Sequence, residues 1–191
     1  MVIIIHVTLQ NKKLEMKGEV IINSQIATTP RETVQFYKPT VEDGAAMWEL
    51  VNNSTLDQNS AYKYIMMSEY FAETCVVAKE GDKLVGFVTA FIPPERQDVV
   101  FVWQVGVDSS QRGKGIATKL IKELIHRDAC QNVRYVEATV TPSNKASQSL
   151  FRGLADKYNT ECQVSECFTE ELFPEDGHEE ELNFRVGPIE K

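Results

Sequence analysis

With 191 residues, 42% of them hydrophobic and 25% charged, the chain is long enough to bury one sizeable core and too short to call for two. Acidic residues outnumber basic ones by 28 to 20, and a net charge of −8 argues against a nucleic-acid partner while suiting a cationic small substrate. The early apolar run Met1 to His6 is too short for a signal peptide or a membrane span and nothing later approaches one, so a cytoplasmic protein with no membrane partner is expected. Cys75, Cys130, Cys162 and Cys167 form no C-x-x-C and have no metal-ligand spacing with His6, His126 or His178, so idle thiols and no metal are expected.

Residues 1–33 lack a period and read as a flexible extension, within which Met16 could equally be the start of translation. Val34 to Lys38 predicts a short strand, stopped by Pro39. A helix follows from Thr40 or Glu42 to about Asn53, its inner side given by Ala45, Met47, Trp48, Leu50 and Val51. Asn59 or Ser60 caps a second helix to about Phe71. Thr74 to Lys79 and Leu84 to Ile92 are strands joined by a Glu80 to Lys83 turn, and Pro93 and Pro94 end the second. Val99 to Val107 is β-branched and aromatic enough for a central strand buried on both faces. Ile116, Ala117, Leu120, Ile121, Leu124 and Ile125 then mark the wide apolar face of a helix. Arg134 to Thr141 is a strand with Val136, Ala138 and Val140 on one face and Tyr135, Glu137 and Thr139 on the other. A helix from Asn144 to Tyr158, a strand near Glu161 to Glu166, an acidic loop and a strand from Leu182 to Val186 complete a domain over residues 34–187, with 188–191 as a tail. The order β-α-α-β-β-β-α-β-α-β-β predicts a mixed sheet with helices on both sides, an α/β or α+β sandwich.

Between the central strand and its helix lies Arg112-Gly113-Lys114-Gly115-Ile116-Ala117. A helix N-terminus presents unpaired amide N–H groups and the positive end of the macrodipole, and glycines let an anion approach the backbone closely. Arg112 and Lys114 add charge, so the turn suits a phosphate, although it is neither G-x-G-x-x-G nor a P-loop.

R-G-K-G-I-A after a V-x-V strand end resembles the acetyl-CoA loop of the GNAT N-acetyltransferase superfamily, and the predicted element order is similar over residues 34–187. The resemblance implies a mostly antiparallel sheet splayed at its central strands. It also implies backbone pairing of Val105 and Val107 with the pantetheine arm of acetyl-CoA, and pyrophosphate contacts from Arg112, Gly113, Lys114, Gly115, Ile116 and Ala117. Gly106 either sits at the bulge that splays the strands or permits close packing. Asn144 to Phe151 resembles the second cofactor segment, in which Asn144 meets the cofactor while Phe151 stands where a tyrosine usually protonates the thiolate. That leaves Tyr158, Tyr135 or water to supply the proton.

An ammonium must lose a proton before it attacks a thioester, so a carboxylate is needed near it. Glu137 and Asp57 are the candidates for base or anchor. Leu56 to Tyr62, Phe101 to Val105 and Gly177 to Leu182 resemble stretches of the L-2,4-diaminobutyrate acetyltransferases, which make the 4-N-acetyl precursor of the compatible solute ectoine. This implies Asp57, Trp103, Glu137, His178 and Glu181 at the substrate's amines, and Asn59, Tyr62, Gln104 and Thr139 at its carboxylate. A homodimer is implied by the same resemblance. Ornithine, lysine or a polyamine as the acceptor, or a non-catalytic acyl-CoA sensor, are the rival readings.

Overall fold

The computed structural model describes residues 33–54, 56, 58–174 and 177–191. The expected extension therefore lies outside the described residues up to position 32, as does Asp57. In chain order the elements are β1 (Gln35–Tyr37), α1 (Asp43–Asn52), α2 (Ala61–Tyr70), β2 (Val76–Glu80), β3 (Lys83–Phe91), β4 (Val99–Val107), α3 (Ile116–Ile125), β5 (Tyr135–Val140), α4 (Lys145–Tyr158), β6 (Glu161–Phe168) and β7 (Glu181–Gly187). The strands form one sheet in the order β1-β2-β3-β4-β5-β7-β6. Every neighbouring pair is antiparallel except β4 with β5.

Alternation along the strands sorts the apolar side chains into two layers. Under α3 and α4 lie Ala78, Val88, Val100, Val136, Ala138 and Val186, packed against Leu120, Leu124, Phe151 and Leu154. Under α1 and α2 lie Val77, Leu84 and Phe87, packed against Met47, Val51 and Tyr64. The inner face of α1 is narrower than expected. Met47 and Val51 are buried, but Trp48 is 38% exposed and Ala45 faces solvent, because the buried side of the helix is completed by Asp43 and by Gly44, which packs against Ile65 of α2. Asp43 is kept inside by ion pairing with Lys79 at 2.6 Å. Ser60 occupies the N-cap position of α2 without a side-chain capping bond.

Gly106 answers to packing and not to a bulge. A Cβ there would stand 2.6 Å from Phe87 Cε1 and 3.1 Å from Leu50 Cδ2. Phe87 cannot yield easily, being fully buried and edge-on to Tyr64 at 5.7 Å. We expect Gly106→Ala to destabilise the fold by about 1–3 kcal/mol through overpacking. Gly153→Ala should instead stabilise it, by up to about 1 kcal/mol, since that helical position has nothing within 4 Å of the added methyl. Denaturant midpoints of the two variants check the opposite signs.

Candidate active site

β4 and β5 share only the rungs from Val99↔Tyr135 to Phe101↔Glu137. Beyond Phe101 they part, β4 remaining on β3 to Val107 and β5 remaining on β7 to Val140. Thr89 pairs with Gln104 and Ala90 with Val102, so Trp103 is the extra residue of a bulge. The bulge reverses the alternation. Val102 packs in the layer under α3, whereas Gln104 turns toward α2. Asp108 donates its N–H to the Val85 carbonyl at 2.9 Å. Polar groups of successive strand residues point to opposite edges, so Gly106 faces β3, and Val105 and Val107 present N–H and C=O to the opening.

That opening is a cleft of about 630 Å³, lined by Val105, Val107, Arg112, Ala117, Thr141, Asn144, Ser147, His178 and Glu179 among others. One end of the cleft is built from the turn before α3. Gly113 (φ +76°) and Gly115 (φ +71°) are both left-handed, and a Cβ at either would touch nothing within 4 Å. Glycine is required there by backbone conformation, and the open space lets an anion reach the first amides of α3. Arg112 lines the cleft. Lys114 does not, because its Nζ lies 2.8 Å from Gln111 Oε1. Upstream, hydrogen bonds from Ser110, with Lys83 beside it, hold the Asp108 carboxyl down near about 2.

On the other arm Asn144 caps α4, its Oδ1 accepting from the Ser147 N–H at 3.0 Å, and it also lines the cleft. The Ser143 N–H donates to Glu179 Oε2 at 3.0 Å and the Ser143 hydroxyl donates to Glu179 Oε1, so the loop before β7 is tied to the loop before α4. Beside it the His178 ring lies flat on Phe173, 3.7 Å between centroids. Its Nδ1 stands 2.7 Å from the Glu179 carbonyl. A carbonyl only accepts, so Nδ1 carries the proton and Nε2 of the neutral ring keeps its lone pair.

Two charged clusters flank the fork of the sheet. Glu137, 2% exposed, accepts from Arg96 at 2.6 Å on one oxygen and from Arg185 on the other. Lys63, 6% exposed, reaches from α2 to Gln104 Oε1 at 3.0 Å and stands 4.2 Å from the Trp103 ring centroid. Gln104 Oε1 also accepts from the Tyr64 hydroxyl at 2.9 Å.

A family model described as acetyltransferase (GNAT) family matches residues 44–155. The chain belongs to the GNAT acetyltransferase family. It is 74% identical over 177 residues to the L-2,4-diaminobutyric acid acetyltransferase of Halalkalibacterium halodurans, covering 91% of this chain and 94% of that one. It is 72% identical over 160 residues to the enzyme of the same name from Marinococcus halophilus, covering 84% and 93%. Among solved structures it resembles diaminobutyrate acetyltransferase EctA from Paenibacillus lautus, described in complex with L-2,4-diaminobutyric acid and coenzyme A. That likeness has a TM-score of 0.79 at 40% identity and covers 84% of this chain and 98% of that one.

Within this GNAT fold the expected site residues have these surroundings. Glu137 is on the expected strand, but both of its oxygens are held by guanidinium groups, which removes it as a free proton acceptor. Gln104 has its carbonyl oxygen engaged by Lys63 and Tyr64. Tyr62 is 71% exposed on the outer side of α2. Thr139, on β5 opposite Asn183, and Glu181, opposite Phe168, are half-buried, as is Asn59 before α2. Ile116 is a core side chain, so its backbone amide alone can serve an anion. Neither tyrosine offered as a substitute acid lines the cleft: Tyr135 stacks under Arg185 at 3.7 Å and the Tyr158 hydroxyl is buried without a partner. Phe151 itself is buried against Phe184.

Sequence reasoning missed Lys63, Arg96 and Arg185. Lys63 had a signal, since it shares the inward face of α2 with Tyr64 and Met67. Burial lowers its pKa from 10.5 to about 8. The folded chain thus disfavours the ammonium relative to the unfolded chain. The penalty is complete below pH 8 and lapses as pH rises from 8 toward 10.5. Lys63→Met should therefore be the more thermostable protein at neutral pH without ligands, with the gap closing across that interval in Tm measurements.

Proposed function

We propose that this chain transfers the acetyl group of acetyl-CoA to the 4-amine of L-2,4-diaminobutyrate, giving 4-N-acetyl-L-2,4-diaminobutyrate on the route to ectoine. The observation that carries the reading is near full-length similarity, at 74% identity, to a relative of that name. The cleft fits acetyl-CoA: an open strand edge suits a pantetheine arm, and a left-handed glycine turn at a helix N-terminus suits a pyrophosphate. When bound, acetyl-CoA supplies a thioester carbonyl for the amine to attack. Val105 and Val107 hold the arm by their backbones, while Arg112 and the amides from Gly113 to Ala117 hold the phosphates, and Asn144 meets the cofactor from α4.

Transfer is direct, in a ternary complex. No cysteine lines the cleft among the described residues. Burial raises all four thiols, Cys75 to about 12, which leaves them weak nucleophiles. With both Glu137 oxygens engaged, the amine's proton passes to His178 Nε2, whose ring is fixed by Phe173 and by its Nδ1 bond. Asp57 remains the proposed acidic anchor for the substrate. The departing thiolate takes its proton from water, which its pKa near about 8.5 permits.

We also infer a cytoplasmic homodimer serving osmoprotection. The free cysteines suit a reducing compartment, and β6 is an edge strand exposed along most of its length, with Val164 and Phe168 among its open side chains. No helix among the described residues is long and apolar enough to cross a membrane.

The deciding experiment follows thiol release from acetyl-CoA with L-2,4-diaminobutyrate, ornithine, lysine and putrescine, with NMR of the product. Acetyl on the 4-amine of diaminobutyrate alone is the expected outcome. Preference for another amine would overturn the substrate, and release with none of them would favour the sensor. His178→Asn should lower kcat roughly 100- to 10,000-fold, as for loss of a general base, with a much smaller change in KM for acetyl-CoA.

A further inference from the structure

Lys63 differs from every other buried charge described here. Asp43 has Lys79, and Glu137 has two arginines. Lys63 is buried with no carboxylate beside it among the described residues; its neighbours are Gln104 Oε1 and the faces of Trp103 and Tyr64. Burying a cation is costly, and a bound anion would offset that cost. A second observation points the same way. Thr89 is 1% exposed, and its hydroxyl has no hydrogen-bond partner. It is the cross-strand partner of Gln104, on the sheet face toward α2. Cross-strand neighbours stand about 5 Å apart at their Cβ atoms, so the hydroxyl adjoins the group that holds the ammonium.

The place is also right for a substrate. Trp103, the bulge residue, is 47% exposed while its ring carries Lys63, and two positions along β4 is Val105 at the wall of the cleft. Two strand residues span about 7 Å. Four bonds separate the side-chain amine of 2,4-diaminobutyrate from its carboxylate carbon, about 5 Å when extended. An amine at the cleft can therefore leave its carboxylate at the bulge.

We propose that Lys63, with the Thr89 hydroxyl, is the seat of the substrate's α-carboxylate, and so decides that an amino acid and not a bare diamine is acetylated. This rests on the diaminobutyrate reading above. The carboxylate supplies a negative charge that no described residue places beside the ammonium, and gives the hydroxyl an acceptor. Lys63 thereby adds a cation to the neutral donors expected at the carboxylate.

The test compares L-2,4-diaminobutyrate with 1,3-diaminopropane, the same chain without the carboxylate, in the full-length protein and its Lys63→Gln, Lys63→Met and Lys63→Arg forms. The unaltered protein should prefer the amino acid. The two neutral variants should lose roughly 10- to 100-fold in kcat/KM on diaminobutyrate, mainly through KM, and much less on diaminopropane. Lys63→Arg should recover part of the loss. Equal losses on both amines, or no loss on either, would overturn the assignment while leaving the acetyl-transfer reading intact. No turnover of diaminobutyrate by the unaltered protein would overturn that reading and this one together. Melting temperatures at or above that of the parent identify variants that have folded.

Discussion

The parting of β4 from β5 after Phe101 is the constraint on which the rest of the structure depends. Two strands that stayed paired would spend the backbone groups of Val105 and Val107 on each other, and no cleft would exist. The split is local. It coincides with the Trp103 bulge, which bends β4 and turns Gln104 to the opposite face. It is also braced at its root. Glu137 stands in the last shared rung, Arg185 is its register partner on β7, and Arg96 comes from the segment that enters β4. The carboxylate therefore ties both arms of the fork and the neighbouring strand, a structural duty in place of the catalytic one expected of it.

The buried charges of Glu137 and Lys63 obey one rule with opposite outcomes. At Glu137 each carboxylate oxygen accepts from one guanidinium nitrogen, Arg96 on one side and Arg185 on the other, which makes burial tolerable. At Lys63 the ammonium is only partly satisfied, and desolvation shows in its lowered pKa. A fully paired charge holds the sheet together, whereas the ammonium of Lys63 rests on a neutral amide and two ring faces. His178 is fixed in a third way, by a ring stack on Phe173 and a contact of one ring nitrogen with a carbonyl.

Much of this was legible in the chain. The tight turn before α3 could be read because glycine at Gly113 and Gly115 has a local cause, a left-handed backbone, and local causes leave local traces. The strand and helix order followed from periodicity, and Asn144 capped as its position before α4 implied. The errors came from contacts between distant segments. Nothing near Glu137 in sequence announces Arg96 or Arg185, and nothing near Gly106 announces Phe87 and Leu50. Trp48 misled because an apolar residue at helical spacing need not lie on the face that a small residue, Gly44, brings close to its neighbour Ile65. The bulge at Trp103 could not be placed, since an extra residue in a ladder is defined only by the strand opposite.

Burial of Lys63 and Glu137 also decides how far dissolved salt can reach them. Mobile ions screen exposed charges over a distance that shrinks from about 10 Å at 0.1 M salt to about 3 Å at 1 M. They act through water, and both side chains are almost withdrawn from it. A rise in salt would thus weaken long-range steering by the acidic surface far more than it weakens these two buried contacts. The brace at the root of the fork and the cation beside the bulge are thereby insulated from ionic strength.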